Sequence, residues 1–549
     1  MNFLRLPLAL VVSSLCALSL VGCTGYSKVS KKSSRAVATT TEQRSILGES
    51  RKLASQPLAQ IGLYLDSANS ARLELASNPS NSQAQSEYNF AVSRIMEIIE
   101  EQGLTPWNQP VLCPSGASAD WVLEFNSVGP HGKFSPGDFE ILPTDRYEFN
   151  GKLVGERRFK PGIGAPVMVS SSVRDYTKID PFAQGKSIYY GLTAAVEFDG
   201  KRCKVVLKDP LKDETYQLDG HRYPLAADFQ APLALALAEL DPRKAELAAM
   251  FNPSKHEGEA RLARLQPYDP NKIPVLFIHG LSNSQATWVP MIETLRTDPV
   301  IRQKYQFWVF TYPTGAPYPV PAAALRRQLD QIRKQHPDHK DMVVVGHSMG
   351  GMISRILITD SGMTLWDTAF ERPPGEMGFD EATRDTLSEW LIFKARPDIS
   401  RVIYASASHR GSEGATNRLG RLGARLVGNP VPGDEISGEV AAATRSGGKR
   451  GRIPNSIDVL DPDSPFLLAV DTLPPKPGIP YHSLIGDRGK GGNLDRTKPE
   501  SSDGIVPYWS SHMDGAESEL IIPSEHWTIL EPEGIAEVNR ILHLHLKGE

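Results

Sequence analysis

One serine stands in a setting that suits nucleophilic chemistry. Ser348 is the centre of Gly346-His347-Ser348-Met349-Gly350, a Gly-x-Ser-x-Gly run. An apolar strand pattern, Asp341–Val345, precedes the run, and a helical pattern, Met349–Thr359, follows it. Glycine is needed on both sides of a turn this tight, because side chains there would collide. The spacing therefore predicts a bend that exposes the Ser348 hydroxyl at a helix N-terminus, where developing negative charge is stabilised.

A second motif follows an earlier strand pattern. Val275–Ile278 leads into His279-Gly280-Leu281, and this pair of segments resembles the third strand and His-Gly turn of α/β-hydrolases of the bacterial lipase kind. The resemblance implies that the backbone N–H groups of Leu281 and Met349 form an oxyanion hole. It also implies an ester-hydrolysing activity with an acyl ester or lipid as substrate.

A third segment supports the same resemblance. Ser408-His409-Arg410-Gly411-Ser412 is similar to the Pro-His-(Arg/Lys)-Gly-Ser loop of lipases and of GPI-inositol deacylase-like hydrolases. Ser408 stands where that family has proline. We interpret His409 and Arg410 as structural residues rather than catalytic ones.

A serine hydroxyl needs a base to remove its proton, and that base needs an acid to orient it. In the resembled fold the chain order is serine, acid, histidine. Ser502-Asp503-Gly504-Ile505-Val506 resembles the Asp-Gly-x-Val segment of lipases, and His526 follows the strand pattern Glu519–Ile522. We therefore assign Asp503 as the orienting acid and His526 as the general base.

Other titratable residues compete for these roles. Asp487 directly follows the strand pattern Tyr481–Gly486, a position that the family also uses for its acid, so it is the alternative acid. His512 could contact a loop or an ion, although a structural histidine is the favoured interpretation. His543 and His545 lie in the terminal helical pattern and are interpreted as partly exposed helix residues.

These residues must be positioned by a larger framework. From Lys272 onward, apolar runs alternate with helical patterns, which favours a parallel sheet with helices on both faces. The expected fold class is α/β, an α/β-hydrolase fold over residues 241–549. Lid-like insertions are expected at about 361–398 and 414–477, and their aromatic residues either line a lipid pocket or pack onto the core. The predicted strands are Ile273–Ile278, Gln306–Tyr312, Asp341–Val345, Arg401–Ser406, Tyr481–Gly486 and Glu519–Ile522, and the predicted helices are Trp288–Thr297, Ala322–Gln335 and Met349–Thr359.

Two regions precede this framework. Residues 46–105 carry apolar residues at helical spacing on two segments separated by Asn78-Pro79, which predicts a helical hairpin. Residues 106–240 are expected to be β-rich. Their clearest signal is Asp199-Gly200 between two β-rich runs, which is typical of a hairpin. Cys113 and Cys203 lie here, and a disulfide between them is narrowly favoured over two buried free thiols.

The N-terminus has the features of a lipoprotein leader. Arg5 is followed by 17 uncharged residues, ending in Leu20-Val21-Gly22-Cys23. This ending resembles the lipobox of bacterial lipoproteins, so residues 1–22 are expected to be a signal peptide and Cys23 the lipidated residue. Residues 23–45 are expected to be a flexible tether. The expected location is the cell membrane or outer membrane, lipid-anchored on the periplasmic or surface side; the alternative is an ordinary secretory signal.

Composition limits the classes of function. Hydrophobic residues make up 40% and charged residues 23% of the 549, which suits a globular protein with a core. The net charge of -4 gives no basic footprint for nucleic acid. No cofactor is expected, and no metal, because neither the cysteines nor the Asp503–His512 neighbourhood has a defined ligand set. The expected activity is serine ester hydrolysis; an acyltransferase using the same residues, or a catalytically degenerate membrane-tethered binding protein, are the alternatives.

Overall fold

The structure is a computed structural model that describes residues 25–116, 119–125, 136–171, 177, 180–185, 187–240, 243–412, 427, 440–444, 453–490 and 502–548. The expected signal peptide, Cys23 and most of the expected 414–477 insertion lie outside these residues. The chain divides into an N-terminal unit, Thr24–Asp241 with Ile292–Gln303, and a C-terminal unit, Pro242–Met291 with Lys304–Glu549. Among the described residues, no helix is both long and apolar enough to cross a membrane.

The strands and helices are named in chain order. The strands are β1 Lys28–Lys31, β2 Val111–Cys113, β3 Trp121–Phe125, β4 Glu140–Pro143, β5 Tyr147–Asn150, β6 Phe159–Lys160, β7 Ala165–Ser171, β8 Ile188–Asp199, β9 Arg202–Lys208, β10 Thr215–Leu218, β11 His221–Pro224, β12 Ala227–Asp228, β13 Arg261–Arg264, β14 Ile273–Ile278, β15 Tyr305–Thr311, β16 Met342–His347, β17 Ile399–Ala405, β18 Tyr481–Gly486 and β19 Ser518–Ile522. The α-helices are α1 Ser34–Val37, α2 Thr41–Lys52, α3 Pro57–Ser77, α4 Ser82–Glu101, α5 Ala231–Leu240, α6 Arg243–Phe251, α7 Val289–Leu295, α8 Pro299–Lys304, α9 Pro319–Gln335, α10 Met349–Leu357, α11 Thr364–Ala369, α12 Glu381–Leu391, α13 Pro465–Asp471, α14 Tyr508–Ser511 and α15 Pro532–His545.

The N-terminal unit is built on a six-stranded sheet with the order β2-β3-β9-β8-β7-β4. Its pairs are antiparallel except β3 with β9. The predicted hairpin is present: Asp199 pairs with Arg202, and Gly200 takes the positive φ of +57° that the two-residue turn requires. The predicted helical hairpin is α3 and α4, and α4 packs against β4, β7 and β8. Met168 and Tyr189 point to the other face of the sheet, where α5 covers them.

The flexible tether expected for residues 23–45 is wrong over residues 28–45. β1 pairs with β5 along four residues, and the Arg146 side chain donates a hydrogen bond to the Lys32 carbonyl. α2 begins at Thr41 with a capping box, in which Thr40 and Gln43 satisfy each other's backbone N–H groups. This segment is polar and has no apolar period, so its own sequence does not predict order. It is ordered because it pairs with a strand that lies more than 100 residues away in the chain.

The disulfide between Cys113 and Cys203 is not formed; both are buried free thiols. The reason is the strand order. Cys113 lies opposite Trp121 and Cys203 opposite Leu123, so β3 runs between the two cysteines. Two strand spacings separate their Cα atoms by about 10 Å or more, beyond the reach of a disulfide. Burial raises the pKa of each thiol to about 12.

The C-terminal unit contains a seven-stranded sheet with the order β13-β15-β14-β16-β17-β18-β19. Every pair is parallel except β13 with β15. The six predicted strands all occur, each within two residues of its predicted bounds, and the edge strand β13 is additional. β14 and β16 are buried along their whole length, as a parallel sheet covered on both faces requires. The α/β fold prediction is confirmed.

The first insertion, residues 361–398, forms α11 and α12. Trp366 and Phe370 are buried, and their ring centroids lie 4.7 Å apart; Phe379 contacts the Phe370 ring edge. Of the two alternatives for these aromatic residues, packing of the insertion is the one observed. α11 in turn packs against α13, which belongs to the second insertion.

Candidate active site

The parallel strands of the C-terminal unit end at one edge of the sheet, and the predicted site residues gather there. Ser348 directly follows β16, with φ +55° and ψ −122°. Positive φ is costly for any residue with a Cβ, and such strain persists only where the surroundings impose it. The predicted sharp bend between strand and helix is therefore present. We call the edge formed by the ends of β14, β16, β17 and β18 the carboxyl edge.

The glycines of the serine motif are required by close backbone approach. A Cβ at Gly346 would collide with Ser354 Oγ, and one at Gly350 would collide with the carbonyl oxygens of Ile278 and His279. The turn therefore packs directly against the end of β14. This is the steric reason for glycine that the sequence motif predicts.

Asp503 and His526 are brought together as a buried pair. His526 Nδ1 lies 2.7 Å from Asp503 Oδ2, and the side chains are 6% and 1% exposed. Asp503 Oδ1 accepts N–H groups from Ile505 at 2.8 Å and Val506 at 2.7 Å. Burial opposes ionisation of Asp503, but the His526 charge and these hydrogen bonds outweigh it and hold the pKa of Asp503 below its ordinary value. Asp503 is thus a carboxylate with three hydrogen-bond donors, one of them the imidazole.

The alternative acid, Asp487, is placed differently. It is buried at the end of β18, and its Oδ1 accepts the Gly489 N–H at 2.8 Å. In the described chain, it is Asp503 that accepts the hydrogen bond from His526 Nδ1. Of the two carboxylates, Asp503 is therefore the one that orients this ring.

The loop that carries His526 lies against the turn that carries Ser348. The His526 carbonyl oxygen is 2.8 Å from Nε2 of His347, the residue before Ser348, and the ring centroids of His347 and His526 are 4.9 Å apart. With Nδ1 committed to Asp503, Nε2 is the nitrogen of His526 that remains for proton transfer. His347 carries no separate signal in the sequence beyond its place in the serine motif.

The predicted oxyanion donors flank the serine. Met349 is the first residue of α10, so its N–H has no acceptor within the helix. Throughout the described chain, no hydrogen bond is recorded from the N–H of Met349 or of Leu281. A Cβ at Gly280, just before Leu281, would come within 2.8 Å of Ser348 Cβ. The His-Gly-Leu turn therefore lies directly beside the serine.

The His-Gly-Leu turn is stabilised by contacts of its own histidine. His279 is fully buried, its Nδ1 lies 3.0 Å from the Gly280 carbonyl, and its ring stacks on Tyr312 at 4.5 Å. Burial lowers the pKa of His279 to about 4, so the ring is neutral and donates to the carbonyl. The Tyr312 hydroxyl donates to the His279 carbonyl at 2.6 Å. These contacts fix the direction of the backbone that carries Leu281.

The predicted structural role of the Ser408–Ser412 loop fits its contacts. Arg410 donates to Asp471 Oδ2 at 3.1 Å, to the Trp509 carbonyl at 3.0 Å and to the His512 carbonyl at 2.7 Å. Ser412 Oγ donates to the Ile505 carbonyl at 2.9 Å. The loop therefore ties down the segment that carries Asp503.

His409 is fully buried and packs edge-on against Tyr404. Burial, and then the Arg355 and Arg410 charges, lower the pKa of His409 well below its ordinary value. A neutral, enclosed ring of this kind fits a packing role.

The other histidines considered from the sequence lie outside the serine turn and the Asp503–His526 pair; they are His512, His543 and His545. His512 contacts Glu519 at 2.7 Å and Asp514 at 3.1 Å, which raise its pKa although burial opposes this. His545 is buried, not partly exposed as expected, and accepts from Arg401 Nε at 3.3 Å. His543 is half-buried in α15. Within the described residues, no cluster of side chains could hold a metal ion.

Comparison with known proteins agrees with this architecture. The sheet order and the serine bend define the α/β-hydrolase class, and residues 275–538, just under half of the chain, match the sequence model of the Alpha/beta hydrolase family. The C-terminal unit therefore has the α/β-hydrolase fold. A comparison with curated proteins finds no match.

Solved structures similar to this chain include three named hydrolases. The mature Bacillus licheniformis lipase has a TM-score of 0.32 and 18% identity, and the match covers 51% of this chain and 97% of that one. A Bacillus coagulans carboxyl esterase has a TM-score of 0.29 and 16% identity, and the match covers 53% of this chain and 95% of that one. A Legionella pneumophila phospholipase has a TM-score of 0.27 and 16% identity, and the match covers 44% of this chain and 45% of that one.

Proposed function

We propose that the protein is a serine hydrolase that cleaves carboxylic esters, lipid or lipid-like, through an acyl-enzyme. The observation that carries the proposal is the buried Asp503–His526 hydrogen bond of 2.7 Å at the same edge as a serine in a strained bend. Strained backbone and buried carboxylates are costly, and both are typical of catalytic sites.

In the proposed acylation step, Ser348 Oγ attacks the ester carbonyl carbon while His526 Nε2 takes the hydroxyl proton. The carbonyl π pair moves onto oxygen, and the N–H groups of Leu281 and Met349 stabilise the resulting oxyanion. Asp503 holds the ring in the correct tautomer and stabilises the imidazolium charge. Collapse of the intermediate breaks the bond to the alcohol, which leaves with the proton from His526.

Deacylation repeats these steps with water. His526 removes a proton from water, the hydroxide attacks the acyl carbon, and the same two N–H groups hold the second oxyanion. Ser348 leaves and recovers its proton from His526, so a carboxylic acid is released. Each residue thus acts twice, and the chain needs no group beyond its own side chains and backbone.

The deciding experiment compares the wild type with Ser348→Ala on a p-nitrophenyl ester and with a fluorophosphonate probe. We expect the probe to label Ser348 and the variant to lose turnover by about a million-fold. If the Ser348→Ala variant turned over the ester at the wild-type rate, the mechanism would be overturned. An unlabelled wild type would favour a degenerate binding protein, and ester products formed with an added alcohol would favour acyl transfer.

We also propose that Cys23 anchors the protein by lipid to the cell or outer membrane, on the periplasmic or surface side. The support is the sequence Leu20-Val21-Gly22-Cys23 after an apolar run. Labelling cells with an alkyne fatty acid tests this: the wild type should be labelled and sediment with membranes, and Cys23→Ser should do neither. An unlabelled wild type would contradict the anchor.

A further inference from the structure

We propose that His347 is a positioning residue: its imidazole holds the loop that carries His526 against the serine turn. The effect on turnover rests on the proposed function, whereas the effect on the position of His526 does not. His347 immediately precedes Ser348, so one side chain joins the nucleophile's turn to the base's own residue.

The direction of the linking hydrogen bond follows from its partner. His347 Nε2 lies 2.8 Å from the backbone carbonyl oxygen of His526. A carbonyl only accepts, so Nε2 must carry the hydrogen and donate. The ring is therefore the Nε2–H tautomer, and that hydrogen is committed to His526.

The surroundings of the ring keep it in this state. His347 is 1% exposed, stacks on Trp527 at 5.4 Å and meets the edge of Trp288 at 6.5 Å. Its Nδ1 is buried and has no hydrogen-bond partner among the described residues. Burial, and then the His526 charge, lower the pKa of His347 to about 3, so it is neutral wherever His526 could act as a base.

The His279-Gly280-Leu281 turn also packs on the His347 ring. A Cβ at Gly280 would come within 3.2 Å of His347 Nδ1 and 2.8 Å of Ser348 Cβ. Segments following β14, β16 and β19 thus meet at one imidazole. A substitution that removes the N–H donor frees the His526 carbonyl and lets Nε2 of His526 drift from Ser348, although Asp503 still binds Nδ1.

The test compares His347→Leu, which has no donor, with His347→Gln, whose amide N–H can reach the Nε2 position. His482→Leu is the matched control, because His482 is also buried but lies at the opposite end of β18. Turnover is measured per site labelled by a fluorophosphonate at saturation, so unfolded molecules do not count. We expect His347→Leu to lower kcat up to about a hundredfold with little change in KM. His347→Gln should recover most of the loss, and His482→Leu should lose less than twofold.

A second measurement needs no substrate. The Nδ1 proton shared by His526 and Asp503 should give a low-field proton NMR signal, and its chemical shift reports the position of the His526 ring directly. We expect His347→Leu to move this signal and His347→Gln to restore it. Unchanged signal and kcat in His347→Leu, or a His347→Gln as impaired as His347→Leu, would overturn the positioning role. A wild type with the signal but without ester turnover would contradict only the proposed function.

Discussion

The two units of this protein place their backbone strain differently. Among the described non-glycine residues, positive φ occurs at Asp219 in the N-terminal unit and at Ser282, Ser348 and Ser406 in the C-terminal unit. Asp219 lies in the turn between β10 and β11, and aspartate tolerates that conformation. The three serines follow the ends of β14, β16 and β17, at the carboxyl edge. In one unit strain closes a hairpin; in the other it shapes a site.

Particular buried polar groups of the two units also differ. In the N-terminal unit, the Tyr88 hydroxyl donates to the Val196 carbonyl and accepts the Val196 N–H, both at 2.9 Å. Near the carboxyl edge, buried nitrogens of His279, His347 and His409 have no hydrogen-bond partner in the described chain. Native proteins satisfy nearly all buried polar atoms, and exceptions concentrate where function needs them. At these positions, Tyr88 uses its hydroxyl to pair both backbone groups of Val196, whereas the three histidines leave ring nitrogens unpaired near the serine bend.

The largest expected effect tests the carboxyl edge. Asp503→Asn keeps the shape of the side chain but removes the charge that holds His526 in the reactive tautomer. We expect kcat for a p-nitrophenyl ester to fall by about ten-thousand-fold, since the amide can favour the wrong tautomer. Steady-state kinetics of the purified variant measures this.

Asp487→Asn is the matched control for that prediction. Its carboxylate accepts a backbone N–H from Gly489, whereas the Nδ1 of His526 bonds to Asp503. We expect a loss of less than about tenfold, and the reverse order of the two variants would exchange the roles of Asp503 and Asp487.

The second prediction tests the N-terminal unit. The pairing of β8 with β7 ends at Ala194. Just beyond this point, the Tyr88 hydroxyl forms hydrogen bonds with the N–H and the carbonyl of Val196, which β7 does not pair. Tyr88→Phe leaves a buried N–H and a buried C=O unpaired. We expect the free energy of unfolding to fall by about 2 kcal/mol, with kcat per labelled site unchanged.

Urea denaturation measures this change, and Tyr147→Phe is its control, because in the described chain burial and nearby charges, rather than a hydrogen bond, act on the Tyr147 hydroxyl. The control should change stability by less than about 0.5 kcal/mol. Equal effects of the two variants would mean that the hydrogen bonds of Tyr88 add no stability beyond that of an unbonded hydroxyl.

Much of the site could be predicted from local sequence. The serine bend was predictable because the glycines around Ser348 report steric needs of the bend itself. The choice of Asp503 and His526 needed chain order within a resembled fold, since neither residue has a local signature as strong. The preference for Asp503 over Asp487 is supported by contacts that only the three-dimensional structure provides, since the His526 ring donates a hydrogen bond to Asp503.

The features that the sequence could not predict depend on long-range pairing. The segment expected to be a tether is polar, and only its pairing with β5 orders β1. Cys113 and Cys203 were candidates for a bridge until the strand order placed β3 between them. The bond from His347 to the His526 carbonyl joins residues 179 apart in the chain, so no spacing rule predicts it.

The smallest expected effect measures the strain at Ser348 directly. Glycine adopts φ +55° with ψ −122° without a Cβ penalty, whereas alanine keeps the penalty of serine while also lacking the hydroxyl. Relief of the strain outweighs the extra freedom that glycine gives the unfolded chain, so Ser348→Gly should be more stable than Ser348→Ala by about 1 kcal/mol. Both variants should be inactive, and urea denaturation compares them. A Ser348→Ala variant that is more stable than Ser348→Gly would mean that the strain in the bend is smaller than the effect of glycine on the unfolded chain, and strain would then not distinguish the two units.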